Sequence, residues 1–188
     1  QNIITELLQN YRLGGIHFDY IRYHDIGWGM NPTGLKFFLN YANGMPGLPG
    51  IKIQERPSFA DFKRASITQF IKKASMRIKA YQPKCIVSAA VKPNIYNARN
   101  TFGQEWDLWL TAGYIDWAVP MNYTGSNQLF DNNLKIISDN IPSKYIEQII
   151  MGIGAYNQSS RLTGQKIYRV GKNNYGGISM FSYTVFKK

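Results

Sequence analysis

The sequence predicts an α/β fold in which strands and helices alternate about five times around a parallel sheet. Three observations carry that reading. Short apolar runs such as CIVSAAV and IIMGIGAY have the unbroken hydrophobicity of strands covered on both faces. Segments with apolar residues at helical spacing lie between them. Strands also begin just after helix-stop signals: Gly14-Gly15, Pro83, Gly113 and Pro142.

Taken in order, residues 2–12 place Ile3, Ile4, Leu7, Leu8 and Tyr11 on one helical face. IHFDY then alternates as a strand that carries Asp19 to its end, with Arg22 just beyond. Residues 24–58 are rich in Gly, Pro and Asn (GWGMNPTG, NGMPGLPG) and too long for a plain connector, so they are expected to form a long loop excursion. SFADF opens the next helix, with Ser58 and Asp61 spaced as a capping box. Its core stripe is Ile67, Phe70, Ile71, Ala74 and Ile78. CIVSAAV follows as a strand, and FGQEWDLWLTAG reads as one helix ending at Gly113. YIDWAVPMNY is a strand, 127–140 a helix, IIMGIGAY a strand, 160–170 a helix and GGISMFSY a final strand. No low-complexity stretch or linker divides the chain, so 1–188 is read as one domain.

Two architectures satisfy this alternation, an open doubly wound sheet and a (β/α)8 TIM barrel. No glycine-rich phosphate fingerprint follows any strand, which weighs against the nucleotide-binding version of the first. Polar and aromatic residues gather instead at the C-terminal strand ends, where barrels build their chemistry: Asp19 and Arg22, Lys92 and Asn94, Asn122 and Tyr123, Tyr156, Tyr183. Five units fall short of eight. The expectation is therefore an incomplete barrel, its remaining strands lying in N-terminal residues absent from this sequence or in another chain.

Bulk properties narrow the function. Twenty-two basic and 11 acidic residues give a formal net charge of +11, which favours an anionic partner. The basic residues are scattered and the KK pairs at 72–73 and 187–188 are short, so nucleic-acid binding is not expected. A single cysteine, Cys85, precludes an internal disulfide. No apolar run reaches membrane-spanning length, and the first residues lack a signal-peptide pattern. Two histidines without ligand spacing make no recognisable metal set, and neither metal nor cofactor is expected. No GxSxG or Ser-His-Asp arrangement points to acyl transfer.

Four motifs in series, GGIHFDYIRY, SAAVKPN, QEWDLWLTAGYIDWAVPMNYT and GGISMFSY, resemble the bacterial family 10-like glycosyl hydrolases. The resemblance spans nearly the whole chain. It implies a TIM-barrel catalytic domain, secreted or attached to the cell envelope, acting on cell-wall or exopolysaccharide glycans in which amino sugars are prominent. It also implies that the strands here are the fourth to eighth. The first motif is similar, more loosely, to the strand-four motif of chitinases. Asp19 takes the middle aspartate place, His17 replaces the preceding aspartate, and Ile21 stands where those enzymes carry an acid glutamate. The substrate-assisted chitinase mechanism is therefore not expected, although PMNYT keeps the Met-x-Tyr pattern that faces the cleaved sugar.

Glycoside hydrolysis ordinarily uses two carboxyl groups. Asp19 is the leading catalytic candidate, in an apolar strand end whose low dielectric would suit a general acid and with His17 on the same face. Of the 11 acids, Glu105, in the Gln-acid-Trp element, and Asp25, which closely follows the Asp19 strand, are the candidates for its partner. Arg22 is expected to orient Asp19 or a substrate hydroxyl or carboxylate. His17, Asn122, Tyr123 and Tyr156 are expected to bind sugar, and Trp28 to offer a stacking platform. Of Trp106 and Trp109, spaced i,i+3, at least one is expected in the core. A non-catalytic glycan-binding barrel is the alternative.

Overall fold

The computed structural model of the chain describes residues 2–24, 31–44 and 58–182. Its elements in chain order are α1 (Asn2–Asn10), β1 (Gly15–Phe18), α2 (Pro32–Gly44), α3 (Phe59–Tyr81), β2 (Ile86–Val91), α4 (Ile95–Phe102) and α5 (Trp106–Thr111). They continue with β3 (Trp117–Pro120), α6 (Asn127–Asn140), a 3-10 segment (Ser143–Gln148), β4 (Ile150–Gly154), α7 (Ser160–Lys172) and β5 (Gly177–Phe181).

Every strand pairing is parallel. β1 lies beside β2 with His17 opposite Ser88, and β2 beside β3 with Ala90 opposite Val119. β4 lies beside β5 with Gly152 opposite Ser179. Two parallel bridges, Ala118 to Ile149 and Met121 to Gly152, tie the three-stranded and two-stranded sheets into one arc. Spatial order thus follows chain order. A doubly wound sheet would reverse its strand order at a switch point; this one does not. The mixed α/β architecture with sequential parallel strands is consistent with a partial α/β barrel.

Alternation assigns the two faces. Val87, Ala89, Val91, Ala118, Met151 and Ile153 are buried towards the helices. Phe18 meets Phe70 of α3 edge-on, with ring centroids 6.0 Å apart. The opposite, concave face carries His17, Ser88, Ala90, Val119 and Met121, with Gly152 on β4. The helix face holds the main core, in which Trp106 and Trp109 are both fully buried. Both tryptophans are therefore packing residues.

Two glutamines fasten the arc at its opposite ends. At the end where strands begin, Gln82 donates through Nε2 to the carbonyls of Leu8 (2.9 Å) and Tyr11 (2.7 Å), and its Oε1 accepts from the Leu13 N–H (2.9 Å). This ties α1 to the C-cap of α3. Beside it Asp116 accepts from the Lys79 ammonium and the Val87 N–H, each at 2.7 Å. At the end where strands finish, Gln104 is fully buried. Its Nε2 donates to the carbonyls of Ile21 (3.1 Å) and Ala90 (3.3 Å), and its Oε1 accepts from the Lys92 N–H (3.0 Å). Trp106 Nε1 adds a bond to the Lys92 carbonyl at 3.0 Å.

Helix starts follow their capping chemistry. The Ser58–Asp61 capping box is present in both directions, and its hydrogen bonds from Ser58 hold the Asp61 carboxyl below the usual carboxylate range. Ser126 and Ser159 cap α6 and α7 through the N–H groups of Leu129 and Leu162. Two expectations are corrected. The region read as a loop over 24–58 contains α2, whose start follows Asn31, the acceptor of the Gly34 N–H at 2.8 Å, with Pro32 in the first turn. The single helix read across FGQEWDLWLTAG is two helices, because Gly103 at φ 67° ends α4 before α5 begins. Among the described residues no helix is long and apolar enough to cross a membrane.

Gln104→Leu would leave the Lys92 N–H and two carbonyl contacts unmatched within the core. At roughly 1–3 kcal/mol for each group left unpaired, the expected loss is at least about 2 kcal/mol, read as a lower denaturation midpoint at unchanged slope.

Candidate active site

The concave face borders a cavity of about 740 Å³ that runs from the strand starts, at Trp117, Ile150 and Gly177, to the strand ends. Its wall includes His17, Asp19 and Arg22 from the end of β1, Met121 and Tyr123 from the end of β3, and Phe181 from β5. Four residues expected from the sequence to act on a glycan, Asp19, His17, Arg22 and Tyr123, are thus brought to one cavity.

A backbone kink makes the first group. Strict alternation would send Arg22 to the side opposite Asp19. Tyr20, however, adopts φ 53°, in the left-handed region that costs a non-glycine residue roughly 1–2 kcal/mol. Asp19 Oδ1 accepts from the Tyr20 N–H (2.7 Å), and the Arg22 N–H donates back to the Tyr20 carbonyl (2.8 Å). The turn swings the Arg22 guanidinium over the Tyr20 ring, 4.5 Å from its centroid, and into the cavity wall that holds Asp19. Strain of this kind collects at functional sites. His17 Nδ1 lies 2.9 Å from Ser88 Oγ, which fixes the imidazole one row below Asp19. Asp19 itself is exposed to the cavity, in contrast to the weakly hydrated setting expected for it.

Tyr123 forms the facing wall. Its ring stacks on Phe181 at 5.3 Å and 12°, and Tyr156 meets Phe181 edge-on at 5.9 Å. Phe181 and Tyr156 are about half exposed, so the cluster presents ring faces to the opening. Space for Tyr123 comes from glycines on β4. A Cβ on Gly152 would lie 2.7 Å from the Pro120 carbonyl and 3.0 Å from Tyr123 Cε1, and one on Gly154 would lie 3.1 Å from Tyr123 Cβ. Burial raises the Tyr123 phenol pKa, and the charge of Asp19 raises it further, with a contribution from Tyr156. The phenol is therefore a hydrogen-bond donor throughout the neutral range.

The rim behind Tyr123 is pinned by a buried cation. Lys166 of α7 donates to the Thr124 carbonyl and to Gln158 Oε1, joining the segments that follow β3 and β4. Asn157 Nδ2 donates to the Tyr123 carbonyl at 2.7 Å.

Other expected site residues lie elsewhere. Glu105 is corrected to the helix layer: it is the N-cap residue of α5, accepts from Thr68 Oγ1 (3.2 Å) and lies 3.8 Å from Arg64 Nε. Thr68 in turn accepts from Trp109 Nε1 (2.8 Å), so the carboxylate closes a chain of bonds between α3 and α5. Asn122 is fully buried, with Nδ2 donating to the Phe130 carbonyl (3.3 Å) and Oδ1 accepting from Asn133 (2.9 Å). Its amide joins the rim to α6 and is not in the cavity wall. Tyr156 is not in the cavity wall itself but meets Phe181, which is. Asp25 and Trp28 lie outside the described residues.

The sequence reading missed Trp117 and Phe181, both in the cavity wall. Trp117 was signalled by its parity with Val119 and Met121. Phe181 carried no signal beyond its place in the last strand.

The glycosyl hydrolase-like 10 family model matches residues 1–174. The chain belongs to that family. No match was found among curated proteins. Membership fits a cavity along the concave face whose C-terminal margin carries an acid, an arginine and stacked aromatic rings, groups that sugars engage through protons, hydroxyls and C–H faces.

Two measurements probe this wall. Neutralising the acid in Asp19→Asn removes one cause of the raised Tyr123 pKa. The phenol, followed by tyrosine-selective NMR, should then titrate at lower pH than in the parent, and an unchanged midpoint would separate the two residues. Gly152→Ala should displace the Tyr123 ring and cost about 1–3 kcal/mol in denaturant unfolding.

Proposed function

We propose that the chain is part of a glycoside hydrolase that cleaves a bacterial cell-envelope or extracellular polysaccharide, in which amino sugars are prominent, with Asp19 as a catalytic carboxyl. In this reading its five strands are the fourth to eighth of a TIM barrel closed by further residues of the polypeptide or by another chain, and the protein works outside the cytoplasm. The observation that carries the proposal is the place of Asp19, an acid without an ion pair in the cavity wall. Six described acids, Asp61, Glu105, Asp107, Asp116, Asp131 and Asp139, are engaged by basic side chains. Glu6, Asp19 and Glu147 make no ion pair among the described residues, and of these three Asp19 alone stands in the cavity wall.

Asp19 delivers its proton to the glycosidic oxygen as the bond from the anomeric carbon breaks. The oxygen of water ends on that carbon, and the water's proton goes to Asp19 if configuration is retained or to the second carboxyl group if it is inverted. Tyr123 donates its phenolic hydrogen bond to a hydroxyl or acetamido oxygen of the sugar beside that bond. The stacked Tyr123 and Phe181 rings orient the pyranose by its C–H face. The second carboxyl group that such hydrolysis ordinarily uses is assigned to residues beyond the described cavity wall.

One observation favours a second reading. Among the described residues Asp19 is the only carboxylate in the wall, and it is exposed. A glycan-binding barrel without turnover would need no more than this. Asp19→Asn separates the two: as a hydrolase, the variant should lose about 10²–10⁴-fold in kcat on amino-sugar glycan strands while still binding them. Equal turnover by parent and variant would remove Asp19 from the chemistry. Tight binding by the parent with no cleavage product would establish the binding module.

A further inference from the structure

The cavity wall holds a cation, Arg22, that pairs with no acid among the described residues. Its Nε and Nη1 atoms are shielded from solvent without a hydrogen-bond acceptor among those residues. Its guanidinium lies over the face of Tyr20. A guanidinium in that state has lost water without gaining an anion, and in a medium of lowered dielectric its attraction for an incoming negative group is strengthened.

A second cation stands close by. Lys92 follows β2 directly, with its ammonium 4.5 Å over the Phe102 ring, and it forms no ion pair among the described residues. Burial lowers its pKa, and the nearby Arg22 charge lowers it further. Gln104 enforces this proximity by bonding both the Ile21 carbonyl and the Lys92 N–H. The fold therefore sets the backbone of Lys92 beside that of Ile21, next to Arg22 in the cavity wall, and an anion bound at Arg22 would ease the repulsion that Lys92 feels.

We propose that Arg22, reinforced by Lys92, forms a subsite for an anionic substituent on the glycan, a carboxylate or sulfate carried by a sugar next to the one presented to Asp19. This rests on the glycan-binding reading above and names the substrate chemistry within it. With Nε and Nη1 shielded, the guanidinium meets the anion through Nη2 and its charge, and Lys92 adds to that charge. Discrimination is then electrostatic, and the neutral sugars are held by the aromatic wall.

The test is binding of the intact protein to three matched amino-sugar oligosaccharides: one bearing carboxylates, one bearing sulfates, and the carboxyl-reduced neutral form. The readout is the ratio of Kd values, neutral over anionic. The parent should prefer at least one anionic form by about ten-fold or more, and the preference should shrink with added salt. Arg22→Gln should bring the ratio close to one, and Arg22→Lys should keep a substantial part of it. Should Arg22→Gln fail to fold, Lys92→Gln is read in its place and should cut the ratio at least two-fold; an unchanged ratio overturns the proposal. Equal binding of all three forms by the parent, or a ratio that survives Arg22→Gln, also overturns it while leaving the glycan reading intact. Failure to bind any of them would end both. Anion preference without cleavage would keep the subsite and remove the hydrolase assignment.

Discussion

A primary amide buried between two strand ends has few ways to be satisfied, and each of them fixes geometry. Gln104 uses both ends of its side chain on the backbone at the ends of β1 and β2. Removed from water, such groups cost more unpaired than they contribute when paired, so the position of Ile21 relative to Lys92 is held closely. Everything chemically active on β1 hangs from that point. The kink at Tyr20, the aim of Asp19 and the seat of Arg22 are all within two residues of Ile21. Trp106 strengthens the same joint through the Lys92 carbonyl. The Gln-acid-Trp element thus works through its flanking members, and its acid faces the helices.

The concave face shows a matching division of labour. Its rows set a small residue beside a larger one: Ser88 by His17, Ala90 by Val119 and Gly152 by Met121. A stacked aromatic pair, Tyr123 and Phe181, stands at the margin. Glycine on β4 is what allows this, since a Cβ at Gly152 would meet the Pro120 backbone before it met solvent. Lys166 and Asn157 then hold the segment behind Tyr123, so the ring is set by the backbone on one side and by its stack on the other. Pre-positioned aromatic surface of this kind binds a sugar face at a small cost in side-chain freedom.

Legibility in the sequence followed the range of the interactions. Strand order, the long α3 helix with its Ser58–Asp61 cap, and the α6 helix over 127–140 were readable because period and capping are local properties. The α2 helix was also locally signalled, by Asn31-Pro32, but the surrounding glycines and prolines masked it. Gly103 carried the break between α4 and α5, and only its left-handed backbone reveals that. Site residues divided differently. His17, Asp19 and Tyr123, placed at strand ends by alternation, stand together in the cavity wall. Glu105 and Asn122 were misplaced because a polar residue near a rim can turn either way, and Thr68 and Asn133, which capture them, are 37 and 11 positions distant. Long-range partners of that sort leave no mark in a local pattern.

Charge distribution explains why the cavity keeps both an acid and a base uncombined. The helix layer spends its acids on neighbouring cations: Asp61 and Glu105 on Arg64, Asp107 on Arg99, Asp116 on Lys79 and Asp131 on Arg169. With twice as many basic as acidic residues in the chain, six of the nine described acids find an ion partner, and of the other three Asp19 alone stands in the cavity wall. An extended strand would have separated Asp19 and Arg22 onto opposite faces, and a relaxed turn would have let them meet. The left-handed residue between them does neither. It gives Asp19 a backbone donor, gives Arg22 an aromatic face, and sets the two on one wall without a bond. A direct ion pair would have satisfied both groups internally and removed them from chemistry. The strain stored at Tyr20 is thus the physical reason that an acid and a cation both remain available to a ligand.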